Sequence, residues 1–370
     1  MIAPLSLVIE NSFSYSFNIS HQACHQTLQT DNNDKKRYKV MNPSKIVDMA
    51  SSFYDSCVLF TASDLGIFST LAEIKKADSE TIAHSCKINS RGARLLLDAC
   101  VALGLLNKEG HLYLNTPESS LFLTPGSPAD LTKAIRYNRD VYEAWGRLSV
   151  MVKSGKPVEK PEIHLGEDKD RTRNFVLSMH GRAMGIGQAV VPQLNLKGKK
   201  KLFDVGGGPG TYSTLIAKAH PEIECTVLDL PEIVKVAGEL IQSAGMQQRV
   251  LTLAGDYHTT PFPSRNDVII FFGVLHQEAP ESIADLFKRA FNALLPGGLV
   301  YVLDMMTDVT HTQPRFSAMF AVNMALTTEN GWVFSDKELS SWLAGAGFTE
   351  FSCSPLPPPM PHWLASARKP

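Results

Sequence analysis

The sequence has no apolar run of transmembrane length, so a helical membrane span does not organise it. It has no basic excess either: Lys and Arg number 36 against 37 Asp and Glu, and the isoelectric point is near neutral. A nucleic-acid binder carries a cationic surplus, so that partner class is not expected. The six cysteines (Cys24, Cys57, Cys86, Cys100, Cys225 and Cys353) are scattered and never stand at C-x-x-C spacing. This argues against a zinc site and a disulfide frame, and for reduced thiols in a cytoplasmic protein. No carboxylates cluster at magnesium-like spacing, so no metal is expected. A short apolar run, Leu5 to Ile9, has no basic region before it, which argues against a signal peptide.

What is present suits two domains and an appendage, with 44% hydrophobic residues over 370 positions. Residues 1–40 are polar and without clear periodicity, and Asn32 to Arg37 is strongly hydrophilic. They are read as a disordered extension, with Met41 as an alternative start. The next segment, 41–155, is mostly helical. Ile46, Val47, Ala50, Phe53, Tyr54, Cys57, Val58 and Ala62 fall at helical spacing. Helices are expected from Ser79 and, capped by Asn89, to about Leu103. A small hairpin follows around Glu109-Gly110. That is a winged-helix outline. Its second helix, however, carries only Arg91 and Arg94 among apolar residues, so it reads as a packing helix. One helix is expected over Asp130–Val152 and another over Arg171–Gln193.

From residue 156 the chain centres on Lys201 to Gly210, KLFDVGGGPG. Leu202, Phe203 and Val205 make a short buried strand, and the glycines make a turn before a helix. Such a unit presents backbone N–H groups and a helix N-terminus to a ligand without a side chain in the way. About 20 residues on, a second strand ends in Asp229, an acid suited to ribose hydroxyls. Two ligand classes fit, a dinucleotide or S-adenosylmethionine. The dinucleotide fingerprint needs a third small residue where Thr211 stands, so it fails. Asp204 inside the turn strand suits an ammonium group and repels a pyrophosphate. Beyond the turn, apolar runs alternate with helical ones. Strands are expected at 202–205, 225–228, 250–254, 268–272, 299–304 and 364–367, with helices between. The pattern predicts a parallel doubly wound sheet, with Asp229, Asp256 and His276 at strand carboxyl ends.

Phe203 to Gly210, Asp229-Leu230-Pro231, Gly255-Asp256-Tyr257, Val274-Leu275-His276 and Leu295-Pro296-Gly297-Gly298 occur in one order. Together they resemble the S-adenosylmethionine-dependent O-methyltransferases related to plant caffeate and animal acetylserotonin O-methyltransferases. Bacterial small-molecule tailoring enzymes belong to the same group. The resemblance implies an α/β protein: a Rossmann-like doubly wound methyltransferase domain behind a winged-helix dimerisation domain. It implies a homodimer, a small-molecule acceptor and a hydroxyl as the methylated group.

The resemblance also assigns roles. His276 matches the general base, a task that suits a histidine at neutral pH. Asp304 matches an acid that orients it. Asp204, Gly206, Gly208, Gly210, Asp229, Leu230, Gly255, Asp256 and Tyr257 match cofactor positions. Met179, His180, Phe320, Asn323 and Met324 match the acceptor pocket. Three positions depart from the family: Val333 stands where a second acid is usual, Gln277 follows the histidine in place of an acid, and Gly273 replaces a basic residue, while Glu278 lies near enough to substitute. These departures keep a rival open, a relative that retains the cofactor but catalyses hydroxylation, decarboxylation or cyclisation. N- or C-methylation is a nearer variant.

Overall fold

The computed structural model of the chain describes residues 42–127, 129–358 and 360–370. The disorder expected for residues 1–40 lies outside the described residues. The described residues fall into two units, divided after Ser52, the second being Phe53–Pro370. In the first, α1 (Ser44–Ser51) is described. Its Ile46, Val47 and Met49 are exposed. Among the described residues no single helix is long and apolar enough to cross a membrane.

The second unit opens with α2 (Phe53–Asp64) and α3 (Ile67–Ile74). The turn between them uses Gly66 at φ 71°, a conformation that costs a glycine little. Next come α4 (Ser79–Cys86) and α5 (Ser90–Ala102), capped by the side chains of Asp78 and Asn89. An antiparallel hairpin, β1 (Leu106–Glu109) with β2 (Leu112–Asn115), completes the winged-helix outline. α5 turns Ala93, Leu97 and Cys100 into a core with Ile67, Phe68, Leu71 and Leu106. It is the packing helix expected.

After α6 (Pro117–Phe122), the single helix expected over Asp130–Val152 is three: α7 (Thr132–Asp140), α8 (Tyr142–Gly146) and α9 (Leu148–Ser154). Val141 and Arg147 leave helical geometry between them, at ψ 0° and 16°. The reason is a shared target. Tyr137 and Trp145 both bond the Asn323 amide. On one straight helix they would stand about 12 Å apart along the axis. The long helix α10 (Lys169–Val190) stops earlier than expected, because Pro192 cannot donate to the ladder.

The remaining elements are β3 (Lys201–Val205), α11 (Thr211–Ala219), β4 (Glu224–Asp229), α12 (Pro231–Ser243), β5 (Val250–Ala254) and β6 (Asn266–Phe272), then α13 (Pro280–Ala293), β7 (Leu294–Asp304), α14 (Arg315–Thr327), α15 (Asp336–Gly345), β8 (Thr349–Pro355) and β9 (Trp363–Arg368). They form a seven-stranded sheet in the order β5-β4-β3-β6-β7-β9-β8. Five strands are parallel, as expected, whereas β9 is antiparallel to β7 and β8. One face buries Leu202, Val227 and Ile270 against α10, α11 and α12. The other buries Phe203, Phe271 and Val300 against α13 and α15. Fully burying side chains of this size stabilises the fold by roughly 1.5–3 kcal/mol each. The chain order reverses between β3 and β6, so a crevice opens at their carboxyl ends.

Candidate active site

The glycine turn lies at that crevice. Gly206, Gly208 and Gly210 all have positive φ, at 64°, 54° and 66°. A Cβ on Gly208 would meet nothing within 4 Å, so the turn is open on that side. Asp204 is buried beneath it. Its Oδ2 accepts a hydrogen bond from Ser213 Oγ at 2.7 Å, while its Oδ1 is buried without a partner. Burial pushes this carboxyl up to about 7, and the neighbouring Asp229 charge adds to the rise. Sequence reasoning missed Ser213, whose position in α11 carries no signal of its own.

Asp229 closes β4 and braces the turn. Its Oδ2 accepts from Gly208 N at 2.7 Å and its Oδ1 from Leu230 N at 2.8 Å. Burial raises it to about 6, against the lowering by those two N–H groups. Gly255 donates its N–H to the Asp229 carbonyl at 2.9 Å, which docks the next loop. In that loop Asp256 caps His258 N at 2.8 Å, and Tyr257 packs beside Gly206. Tyr257 donates to Glu278 Oε1 at 2.5 Å and accepts from Gln277 Nε2 at 3.0 Å. The cofactor-type residues therefore converge on one rim.

His276 sits in a short 3-10 turn after β6, across the crevice. Its Nδ1 meets Asp304 Oδ1 at 2.6 Å. Asp304 is 1% exposed and also accepts from the backbone N–H groups of His276 and Met305. A carboxylate accepts, so Nδ1 carries the proton and Nε2 is left as the basic nitrogen. The Phe320 ring stands edge-on to the imidazole, with centroids 5.1 Å apart. Val333 is buried at the place where the second acid is usual, and Glu329 of the same loop is exposed. The loop holds His276 by backbone instead, Trp332 N donating to the His276 carbonyl at 2.9 Å. Glu278 does not substitute. Its carboxylate serves Tyr257, Ser282 and His258.

The acceptor-type residues are less uniform. His180 Nδ1 bonds Thr211 Oγ1 at 2.7 Å, next to the glycine turn. Met179 precedes it on α10 and is half-buried. Met324 is buried on α14, and the Asn323 amide is spanned by Trp145 Nε1 at 2.8 Å and Tyr137 Oη at 3.0 Å. Neither aromatic was singled out as a partner of Asn323, since they lie far away in sequence. Two other cavities, about 550 and 410 Å³, lie among α2, α7 and α10 and contain none of these residues.

These residues fit S-adenosylmethionine. A buried carboxylate oxygen without a partner lies beside an open, glycine-walled cradle. The cradle tolerates little bulk elsewhere. A Cβ on Gly207 would stand 2.6 Å from Asp204 Cγ and 2.7 Å from Val227 Cγ1. Gly207→Ala is therefore expected to cost about 1–3 kcal/mol of stability by overpacking and to weaken cofactor binding. Thermal denaturation and calorimetry check this; an unchanged melting temperature refutes it.

Comparison with known proteins agrees. Residues 160–349 match the O-methyltransferase domain family, and residues 47–125 match the O-methyltransferase dimerisation domain. The chain is 30% identical to the 3-hydroxy-5-methyl-1-naphthoate 3-O-methyltransferase of Streptomyces sahachiroi, over 83% of this chain and 90% of that one. It is 32% identical to the tetracenomycin polyketide synthesis 8-O-methyl transferase of Streptomyces glaucescens, over 90% and 98%. Human N-acetylserotonin methyltransferase, solved in complex with S-adenosylmethionine, superposes with a TM-score of 0.81 at 27% identity, over 90% and 99%. A crevice built for that cofactor, matched along its length by methyltransferases, has one reading: the chain belongs to the S-adenosylmethionine-dependent O-methyltransferase family.

Proposed function

We propose that this enzyme methylates a hydroxyl of a flat aromatic or polyketide-like acceptor, with His276 as general base. The observation that carries the reading is the His276–Asp304 pair at the switch point, across from the glycine turn. S-adenosylmethionine supplies an activated methyl group when bound. Asp204, Gly206, Gly208, Gly210, Asp229, Leu230, Gly255, Asp256 and Tyr257 are the residues that hold it. The chain must then remove a proton from the acceptor hydroxyl. His276 takes it on Nε2, and buried Asp304 stabilises the imidazolium while fixing the ring. Met179, His180, Phe320, Asn323 and Met324 shape the acceptor side. The edge-on Phe320 ring and the naphthoate and polyketide activities of the relatives support a flat acceptor. The dimerisation-domain match and exposed Phe53 and Tyr54 support a homodimer of dimerisation regions 41–155, each followed by a methyltransferase region 156–370. Cys57, Cys86, Cys100, Cys225 and Cys353 are free, which supports the cytoplasm. Mass spectrometry with hydroxynaphthoates tests the reaction. A product heavier by CH2, a methyl group in place of the hydroxyl proton, is expected; an oxygen gained or carbon dioxide lost sinks the reading.

The raised Asp204 and Asp229 carboxyls give this site a pH signature. In the free protein they bind protons more tightly than in the unfolded chain. Their contribution to stability is thus present below about pH 4 and lost as pH rises toward 7. Cofactor binding runs the other way. A neutral Asp204 has no charge to offer an ammonium group, so affinity is expected to rise with pH from 5.5 to 7.5 and binding to release protons. Calorimetry in buffers of different ionisation enthalpy measures that release. Proton uptake, or an unaltered signal in Asp204→Asn, contradicts it.

A further inference from the structure

One polar side chain near His276 has no role so far. β9 is antiparallel to β7, so its first residue, Trp363, pairs with Asp304, the last residue of β7. His362 therefore stands just before β9, at the carboxyl end of β7, where Asp304 pairs with His276. Successive strand residues point to opposite faces. Trp363 packs with the cluster facing α13 and α15, and Leu364 with the cluster facing α10 and α11. His362 lies one residue outside β9, and Met360, two residues before it, packs against the cluster facing α10. The His362 carbonyl accepts from Leu356 N at 2.8 Å, which anchors the backbone.

The imidazole lies within the fields of Asp304, His276 and Arg182, and burial lowers it to about 4, so it is neutral at pH 7. Nδ1 is buried with no hydrogen-bond partner. An N–H enclosed there would forfeit its hydrogen bond, which costs more than an unused lone pair in the same place. The proton therefore belongs on Nε2, and the ring offers one donor. We propose that His362 binds the acceptor, its Nε2–H donating to a carbonyl or carboxylate oxygen next to the hydroxyl that His276 deprotonates. The cationic Arg182 side chain nearby favours the same electron-rich oxygen. Such an acceptor is an ortho- or peri-hydroxylated carbonyl compound. This inference rests on the O-methyltransferase reading above.

The test compares two probes, 3-hydroxy-2-naphthoate, which carries the neighbouring oxygen, and 2-naphthol, which lacks it. His362→Leu is expected to raise KM for the first roughly tenfold, the worth of one hydrogen bond to a charged oxygen. KM for 2-naphthol and affinity for S-adenosylhomocysteine stay unchanged. His362→Gln puts a donor near the place of Nε2 and restores most of the loss. Equal losses on both probes, no loss on either, or weakened S-adenosylhomocysteine binding overturns the role of His362 alone. Wild-type protein that methylates neither probe overturns the acceptor class and the inference with it.

Discussion

His276→Ala is expected to lower kcat by about 10²–10⁴, the usual worth of a positioned general base. Affinity for S-adenosylmethionine should stay close to wild type, because no cofactor-type residue bonds the imidazole. Removing the ring leaves Asp304 with two backbone donors, from His276 and Met305, so the buried carboxylate keeps partners and the fold survives. Asp304→Asn tests the same pair from the other side. An amide in that place loses the charge that stabilises imidazolium, and its NH2 group can impose the opposite ring tautomer. A fall of up to about 10⁴ follows from that kind of loss. Single-turnover rates with cofactor prebound measure both variants. A His276→Ala enzyme that transfers at the wild-type rate removes the mechanism.

Asp229→Ala is expected to weaken S-adenosylmethionine binding by roughly two orders of magnitude or more. Two effects combine. The side chain is the acceptor for Gly208 N and Leu230 N, so its loss strips both of a partner at a cost of about 1–3 kcal/mol each where they are buried. It also removes the acid available to ribose hydroxyls. Asp229→Asn should fall between, because an amide oxygen accepts from one N–H while its nitrogen opposes the other. Calorimetric titration measures the affinities and thermal denaturation the stability. If the alanine variant binds as well as wild type, the ligand does not sit on this turn.

Much of the sheet was legible. Ile269, Ile270 and Phe271 are a continuous apolar run, and Leu202, Phe203 and Val205 are one broken only by Asp204, as strands buried on both faces must be. β8 was not. Thr349 to Pro355 is an edge strand, mostly exposed or half-buried, and its serines and terminal proline send no strand signal. The break of the expected 130–152 helix was also hidden, since its cause is the distant Asn323 amide. Glu278 was misread for a related reason: nearness in sequence to His276 did not bring its carboxylate to the ring.

The sequence by itself determined the chemistry that local spacing carries. A strand, a glycine turn and a helix N-terminus lie within about twenty residues, so their geometry follows from backbone preferences alone. Tertiary structure decided which side chains meet. The His276–Asp304 contact spans 28 positions and Trp145–Asn323 spans 178. His362 reaches the site only because β9 enters the sheet antiparallel beside β7. Such contacts depend on strand order and packing, which no local run of residues encodes, and they assign a partner to each buried polar atom or leave it without one.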